Sequence, residues 1–255
     1  MELLMRYLEP DFIVKKRFVN KNIPHWDIAV ICFRDNSGSM ELIKTFDAKP
    51  VGYKILFGLD EYSECPFVYE KIINDNKVLI ITRCIWGGPQ AAIIVEELAF
   101  YGIKYIIGYG AAGSLDDEFK RGDQIFASFA FPTDGTSKIY KCGHLEPDNI
   151  YIDFIKLVEK KLSCKIKEIK IATIDALYRE TEDYILSLKK DGAQAINMET
   201  SPFYSSSIIC GIKSIWIGHI SDCLLKKWDD WYMKREEMSN LTSRICLDIV
   251  MLIRI

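Results

Sequence analysis

VLIITRCIWGGPQAAIIVEELAFYGIKYIIGYGAAG, residues 78–113, is the stretch whose reading decides the fold. A β-rich run, Val78–Thr82, leads to Gly87-Gly88-Pro89. A helix follows, with Pro89 at its first position and Gly102 just past its end, the usual asymmetry of helix termini. Its apolar residues Ala91, Ile94, Val95 and Leu98 fall on one stripe. A second apolar strand, Tyr105–Ile107, then runs into Gly108, Gly110 and Gly113. The pattern is strand–helix–strand with glycines at both strand ends. Ligands of parallel sheets sit beyond the carboxyl ends of the strands. The glycines are therefore expected to line a small-molecule cleft.

The rest of the chain extends this unit. Ile28–Phe33 reads as a buried strand followed by a loop at residues 34–39. Residues 51–83 hold three short β-type runs. Gln124–Phe129 is a strand entered through Arg121-Gly122-Asp123, and residues 132–149 read as a loop. Ile152, Ile155, Val158 and Leu162 form a helical stripe, Ile166–Ile174 a strand, and Thr181–Lys190 a helix closed by Gly192. A short β segment, Ala193–Asn197, precedes a helix over Met198–Cys210. Ser214–Ile220 is strongly β-type, and a terminal helix covers about 229–253. No linker, repeat or low-complexity stretch divides the sequence. The expectation is an α/β fold: one three-layer domain over residues 1–255, with a twisted mixed β-sheet flanked by helices.

Bulk properties narrow the function. The chain has 255 residues, 49% hydrophobic and 27% charged, with a formal net charge of −3. That balance gives no electrostatic case for nucleic acid. No apolar run reaches membrane-spanning length. Eight cysteines lack C-x-x-C spacing and no signal peptide precedes them, which points to free thiols in a reducing cytoplasm. Cys142 and His144 have no visible second half for a metal site, so no metal is expected.

Gly108-Tyr-Gly110-Ala-Ala-Gly113 matches G-x-G-x-x-G, with Asp134 near the spacing of a ribose-binding acid. A dinucleotide site needs a helix to start at the third glycine, facing the pyrophosphate. The following Ser114–Arg121 is too short and, with Asp116, Asp117 and Glu118, too acidic. A serine hydrolase lacks its G-x-S-x-G elbow.

Six pieces in order carry a resemblance. They are Gly87-Gly88-Pro89 with its helix, Gly110-Ala-Ala-Gly113-Ser-Leu, Arg121-Gly122-Asp123, Asp175-Ala-Leu-Tyr178, Ile196-Asn-Met-Glu199 and Ser221-Asp222. Together they resemble the nucleoside phosphorylase superfamily: purine nucleoside, uridine and methylthioadenosine phosphorylases and the related nucleosidases. The resemblance implies cleavage of the N-glycosidic bond of a nucleoside, with phosphate or water attacking the anomeric carbon. It implies no cofactor beyond phosphate as co-substrate, and a homo-oligomer, dimer, trimer or hexamer, whose neighbouring subunit often completes the pocket.

The resemblance also assigns residues. Asp222 would protonate or hydrogen-bond N7 of a purine. Glu199 would hold the sugar hydroxyls and offset developing positive charge. Met198 would pack on the sugar, and Trp86 lies near the ribose pocket. Leu177, Tyr178 and Ile196 resemble walls of the base pocket, and Ala112, Gly113, Asn197 and Ser221 belong to the same motifs. Arg235 would sit beside the base. The alternative role for each is ordinary packing, capping or a solvated helix face.

The phosphate site departs from the family pattern. The family binds phosphate with two arginines, a serine and a glycine loop. Here the second-cluster arginine and serine positions are Gly108 and Ala111, and the N-terminal loop reads Phe33-Arg34-Asp35-Asn36. Arg34 with the Ser37-Gly38-Ser39 backbone, Gly110 and Arg83 are the substitutes available. Asp35 falls where a nucleosidase carboxylate would activate water. The readings carried forward are phosphorolysis, hydrolysis, and nucleoside binding without turnover.

Overall fold

A computed structural model describes residues 8–57, 59, 67–82, 87–224 and 235–255. In chain order the elements are α1 (Pro10–Arg17), β1 (Ile28–Cys32), α2 (Asn36–Phe46), β2 (Lys49–Pro50), β3 (Val68–Ile73) and β4 (Asn76–Ile81). Next come α3 (Gly88–Phe100), β5 (Tyr105–Ser114), β6 (Gln124–Phe131), α4 (Gly135–Tyr140), α5 (Ile150–Leu162) and β7 (Ile166–Thr173). A single 3-10 turn, Leu177–Arg179, leads to α6 (Glu182–Lys190), β8 (Ala195–Asn197), α7 (Thr200–Ile209), β9 (Lys213–Cys223) and α8 (Arg235–Leu252).

The strands form one mixed sheet in the order β2-β3-β4-β1-β5-β8-β7-β6-β9, and β9 also pairs with β5. The last five strands therefore close into a ring. Inward and outward residues alternate along each strand. On β9, Trp216 and Ile220 join a core under α1, α3 and α7, while Ile215 and Ile217 join one under α2, α5 and α8. A third, smaller core packs α6 against β7 and β8 through Ile174, Ile185, Leu188 and Ile196. The expected sandwich of helix, mixed sheet and helix is thus present.

β5 is the central strand. Its first half pairs with β1 (Tyr105 to Tyr109 opposite Ile28 to Cys32), in parallel. Its last two residues pair with β8 instead, Gly113 opposite Ile196, in antiparallel. The other edge of β5 pairs with β9 along its whole length. Between the end of β1 and the end of β8, one edge of β5 is left without a neighbouring strand.

The glycines of β5 have a different role from the one expected. The strand does not stop at Ile107 but runs through the cluster to Ser114. No helix follows Gly113, which excludes the dinucleotide geometry. A Cβ at Gly108, Gly110 or Gly218 would sit 2.9, 2.5 or 2.4 Å from the Trp216 ring. These glycines let one wholly buried indole lie on the sheet. Gly110, expected as a phosphate contact, is not among the residues that line the cavity described below.

Two expected loops contain helices. Residues 34–39 open α2, capped by Asp35, whose carboxylate accepts from Gly38 N at 3.1 Å. Residues 132–149 contain α4, capped in the same way by Asp134. Turn-forming residues dominate both stretches, and the same side chains serve as helix caps. Of the three β-type runs expected in 51–83, β3 and β4 pair antiparallel about a turn at Asn74 and Asp75, both left-handed.

Replacing Gly110 by Ala is expected to cost about 1–3 kcal/mol through overpacking against Trp216. Gly143, around which a Cβ would meet nothing within 4 Å, is the matched control. Urea unfolding of both variants checks this; equal stability would remove the steric role of Gly110.

Candidate active site

A cavity of about 440 Å³ opens where β1 and β8 both end. Phe33 and Arg34 follow β1, and Ala111, Ala112 and Gly113 belong to β5. Ile174, Leu177, Tyr178 and Glu180 follow β7. Ile196, Asn197, Met198 and Glu199 end β8 and open α7, while Ser221, Asp222 and Leu224 close β9. The walls are strand ends, as expected for a ligand site in such a sheet. A larger hollow, about 570 Å³ and lined by residues such as Ser128, Phe129 and Glu168, lies elsewhere and holds none of these residues.

A bulge aims Asp222. The β5–β9 register steps between Ala112, opposite Ile220, and Gly113, opposite Asp222, leaving Ser221 as the extra residue. Bulges commonly re-aim a side chain beside an active site. The Ser221 hydroxyl lies 2.5 Å from Asp222 Oδ1 and 3.3 Å from the Ala112 carbonyl oxygen. Gly113 keeps the space open: a Cβ there would meet Asp222 Oδ2 at 3.3 Å and Leu224 Cδ1 at 3.0 Å.

Glu199 stands at the start of α7, and only 3% of it is exposed. Met198 N donates to its Oε2 at 3.3 Å, and the Gly87 N–H also bonds the carboxylate. Gly87 caps α3, so the glycine motif of the opening stretch reaches the site through its backbone. Burial pushes the Glu199 carboxyl up to about 8, against the lowering effect of these N–H groups and of the Arg34 guanidinium. Asn197 shapes this corner: its Oδ1 accepts from Thr200 N at 3.2 Å, capping α7, and its Nδ2 donates to Thr200 Oγ1 at 2.5 Å. The Asn197 side chain is thus engaged in the fold although it borders the cavity.

Arg34 is the one cationic side chain on the cavity wall among the described residues. It is buried, and its Nε has no hydrogen-bond partner there. Its stem crosses Gly38, where a Cβ would lie 2.5 Å from Arg34 Cβ. Gly38 therefore leaves the room that the side chain at 34 occupies.

The structure brings together Glu199, Asp222, Ala112, Gly113, Leu177, Tyr178, Ile196, Asn197, Met198, Ser221 and Arg34. Tyr178 borders the mouth, 95% exposed. Asp35 is not among the residues that line the cavity, and its carboxylate accepts from Gly38 N in the α2 cap. His219 faces away, its Nδ1 3.0 Å from Thr242 Oγ1 of α8. Trp86 and Arg83 lie outside the described residues. Arg235 opens α8, and its side chain also lies outside the description. Glu180 is the wall residue of most chemical weight that the motifs did not single out. Its only sequence signal is an acid directly before the helix-capping Thr181.

The model of the Phosphorylase superfamily matches residues 28–250. The chain belongs to that superfamily. An uncharacterized protein of Acanthamoeba polyphaga mimivirus is 33% identical over 149 residues, covering 58% of each chain. The chain thus spans less than two thirds of that relative. A DeoD-type purine nucleoside phosphorylase of Buchnera aphidicola is 28% identical over 181 residues, 68% of this chain and 75% of that one. Among solved structures, the uridine phosphorylase of Vibrio fischeri superposes with a TM-score of 0.73 at 19% identity, covering 88% of this chain and 90% of that one. The Campylobacter jejuni 5'-methylthioadenosine/S-adenosyl homocysteine nucleosidase gives 0.74 at 15%, covering 89% and 100%. At such identities the likeness speaks for the phosphorylase fold. Among the described residues no helix is long and apolar enough to cross a membrane, and no cluster of His, Cys, Asp and Glu could hold a metal ion.

The raised carboxyl of Glu199 makes a stability prediction. In the unfolded chain it loses its proton near 4.5, in the folded chain near 8. Between those values the unfolded chain binds fewer protons, so stability falls as pH rises. Glu180, pushed up to about 7 by burial and by Asp222, acts in the same direction. Replacing Glu199 by Gln is expected to flatten the decline of Tm between pH 5 and pH 8 relative to the parent. Parallel curves would contradict the buried, protonated Glu199.

Proposed function

We propose that the protein cleaves the N-glycosidic bond of a purine nucleoside and transfers the pentose to phosphate. The observation that carries this reading is that Glu199, Asp222 and Arg34, remote in sequence, border one cavity of nucleoside size. The family supports glycosidic cleavage. Purine and phosphate are further supported by the names of relatives, a DeoD-type purine nucleoside phosphorylase and a guanosine phosphorylase of Halorubrum lacusprofundi, 29% identical over 150 residues.

Each residue has a distinct part. Asp222 gives a proton to N7, so the bond electrons settle on a neutral base. Glu199 accepts hydrogen bonds from the sugar hydroxyls. Glu199 keeps its proton in the empty site at neutral pH, and once it loses that proton its charge opposes the positive charge growing on the ring. Met198 covers the sugar, and Ile174, Leu177, Ile196 and Leu224 enclose the base. Arg34 holds the attacking phosphate with a charge-assisted contact, its Nε being without another partner among the described residues. The family's second-cluster arginine and serine are replaced here by Gly108 and Ala111, so phosphate binding is expected to be weak. A homo-oligomer belongs to this reading: exposed Tyr178 and Leu177 border the cavity mouth where a second copy would cover them.

Release of hypoxanthine from inosine, followed with and without phosphate, tests the reading. Release should depend on phosphate, and Asp222→Asn should lower kcat by about 10²–10⁴-fold. Undiminished release without phosphate would favour hydrolysis, and binding without release would favour a non-catalytic protein. Replacing Asp35 by Ala should cost about 1 kcal/mol through the lost cap and leave turnover intact. Loss of turnover in that stable variant would return Asp35 to the chemistry.

A further inference from the structure

The segment after β7 gives the cavity Leu177, Tyr178 and Glu180, yet Asp175, which opens the same motif, does not border it. The Asp175 carboxylate is engaged elsewhere: its Oδ2 accepts from Gly135 N, the first residue of α4, at 2.8 Å. The wall residues have little else to hold them. Leu177, Tyr178 and Arg179 are exposed. Their backbone bonds are local, Arg179 N donating to Ala176 O and Thr181 N to Arg179 O, both at 2.9 Å. Among the described residues, the Asp175–Gly135 bond is the one hydrogen bond that ties residues 175–180 to a distant part of the chain.

The far side of that tether is firmly placed. The Thr133 hydroxyl donates to the Thr173 carbonyl at the end of β7. Asp134 is wholly buried and accepts from Ser137 N at 2.7 Å, closing the α4 cap. Thr136 lies over the start of α3: a Cβ at Gly88 would come within 2.9 Å of its Oγ1. The preceding Gly87 N–H bonds the Glu199 carboxylate. Residues 133–137 therefore touch the exit of β7, the segment that walls the cavity, and the helix start that serves Glu199. They form one brace between the wall at 177–180 and the sugar-binding carboxyl.

We propose that Asp175 is a positioning residue: by holding Gly135 it keeps the wall at 177–180 in the place a bound nucleoside needs, and so sets affinity without taking part in bond breaking. The proposal rests on the purine-cleavage reading and adds to it a residue outside the cavity. A wall that must be ordered at each binding event charges that entropy to the ligand, and a tether formed beforehand removes the charge. The wall touches the base alike before and during cleavage. An interaction of that kind appears in KM and leaves kcat unchanged.

Steady-state kinetics on inosine at saturating phosphate test this. Both bonded residues are exposed, so the bond competes with water, and Asp175→Ala should raise KM about threefold to tenfold. The same variant should keep kcat within about twofold. Asp175→Asn retains a side-chain carbonyl that accepts, and should stay within about twofold of the parent in both constants. Gly135→Pro removes the donor at a first helical position, where proline is tolerated. It should raise KM as Asp175→Ala does, and the double variant should raise it no further. The two Asp175 variants decide the matter by themselves if Gly135→Pro does not fold. An unchanged KM in Asp175→Ala, a loss carried by kcat instead, or an Asp175→Asn as impaired as Asp175→Ala would overturn the tether while leaving purine cleavage standing. Absence of turnover by the parent protein would overturn the cleavage reading and this proposal together.

Discussion

The backbone of β5 must satisfy hydrogen bonds along two edges, and the site exists because one edge changes partner part-way. Buried peptide groups are rarely left unpaired. β1 satisfies the first half of β5 and β8 the end, and the two come from opposite directions. Neither covers the interval between them. The open interval borders the cavity, and the residues that follow β1 and β8, Arg34 and Glu199, turn into it. The continuous pairing with β9 on the opposite edge holds β5 straight across the gap. The extra residue in β9 then sets Asp222 facing the same space. The topology thus makes a hollow and points one side chain into it from each of several strand ends.

Trp216 is what holds this arrangement rigid. Its indole occupies space that side chains at 108, 110 and 218 would fill, and it packs against Phe203 and Tyr204 of α7 in the same core. Tyr204 reinforces the join, accepting from Trp216 N at 3.0 Å and donating to the Ala127 carbonyl at 2.7 Å. α7 in turn begins at Glu199. The Glu199 carboxyl is therefore carried by a buried helix whose serines at 205, 206 and 207 return their hydroxyls to carbonyls of the preceding turn.

Much of this was legible in the sequence, and the misses have physical causes. Apolar periodicity and end signals located α3, α5, α6, α7, β7 and β9, because amphipathic faces and caps are local. Of the motif residues, Gly113, Leu177, Tyr178, Ile196 to Glu199, Ser221 and Asp222 border one cavity, while Arg121-Gly122-Asp123 and Asp175 do not. Gly108 and Gly110 were misread as a strand end because a glycine that clears space for a distant ring looks the same as one that makes a turn. Residues 34–39 were read as a loop because an acid before Asn-Ser-Gly-Ser is equally a loop carboxylate and a helix cap. Glu180 was missed because its neighbour Asp222 is 42 positions along the chain by number, so only the fold brings their charges together. The loss of two phosphate ligands was readable; that Gly38 gives Arg34 its path was not, since it depends on side-chain direction across one helical turn.

The most direct measurement is a crystal structure of the protein soaked with inosine and sulfate. The account predicts a nucleoside in the cavity, its sugar hydroxyls within about 2.6–3.2 Å of the Glu199 carboxylate, its N7 at a similar distance from Asp222, and sulfate on Arg34. A nucleoside bound outside this cavity, or one whose sugar faces Asp222 and whose base faces Glu199, would contradict it.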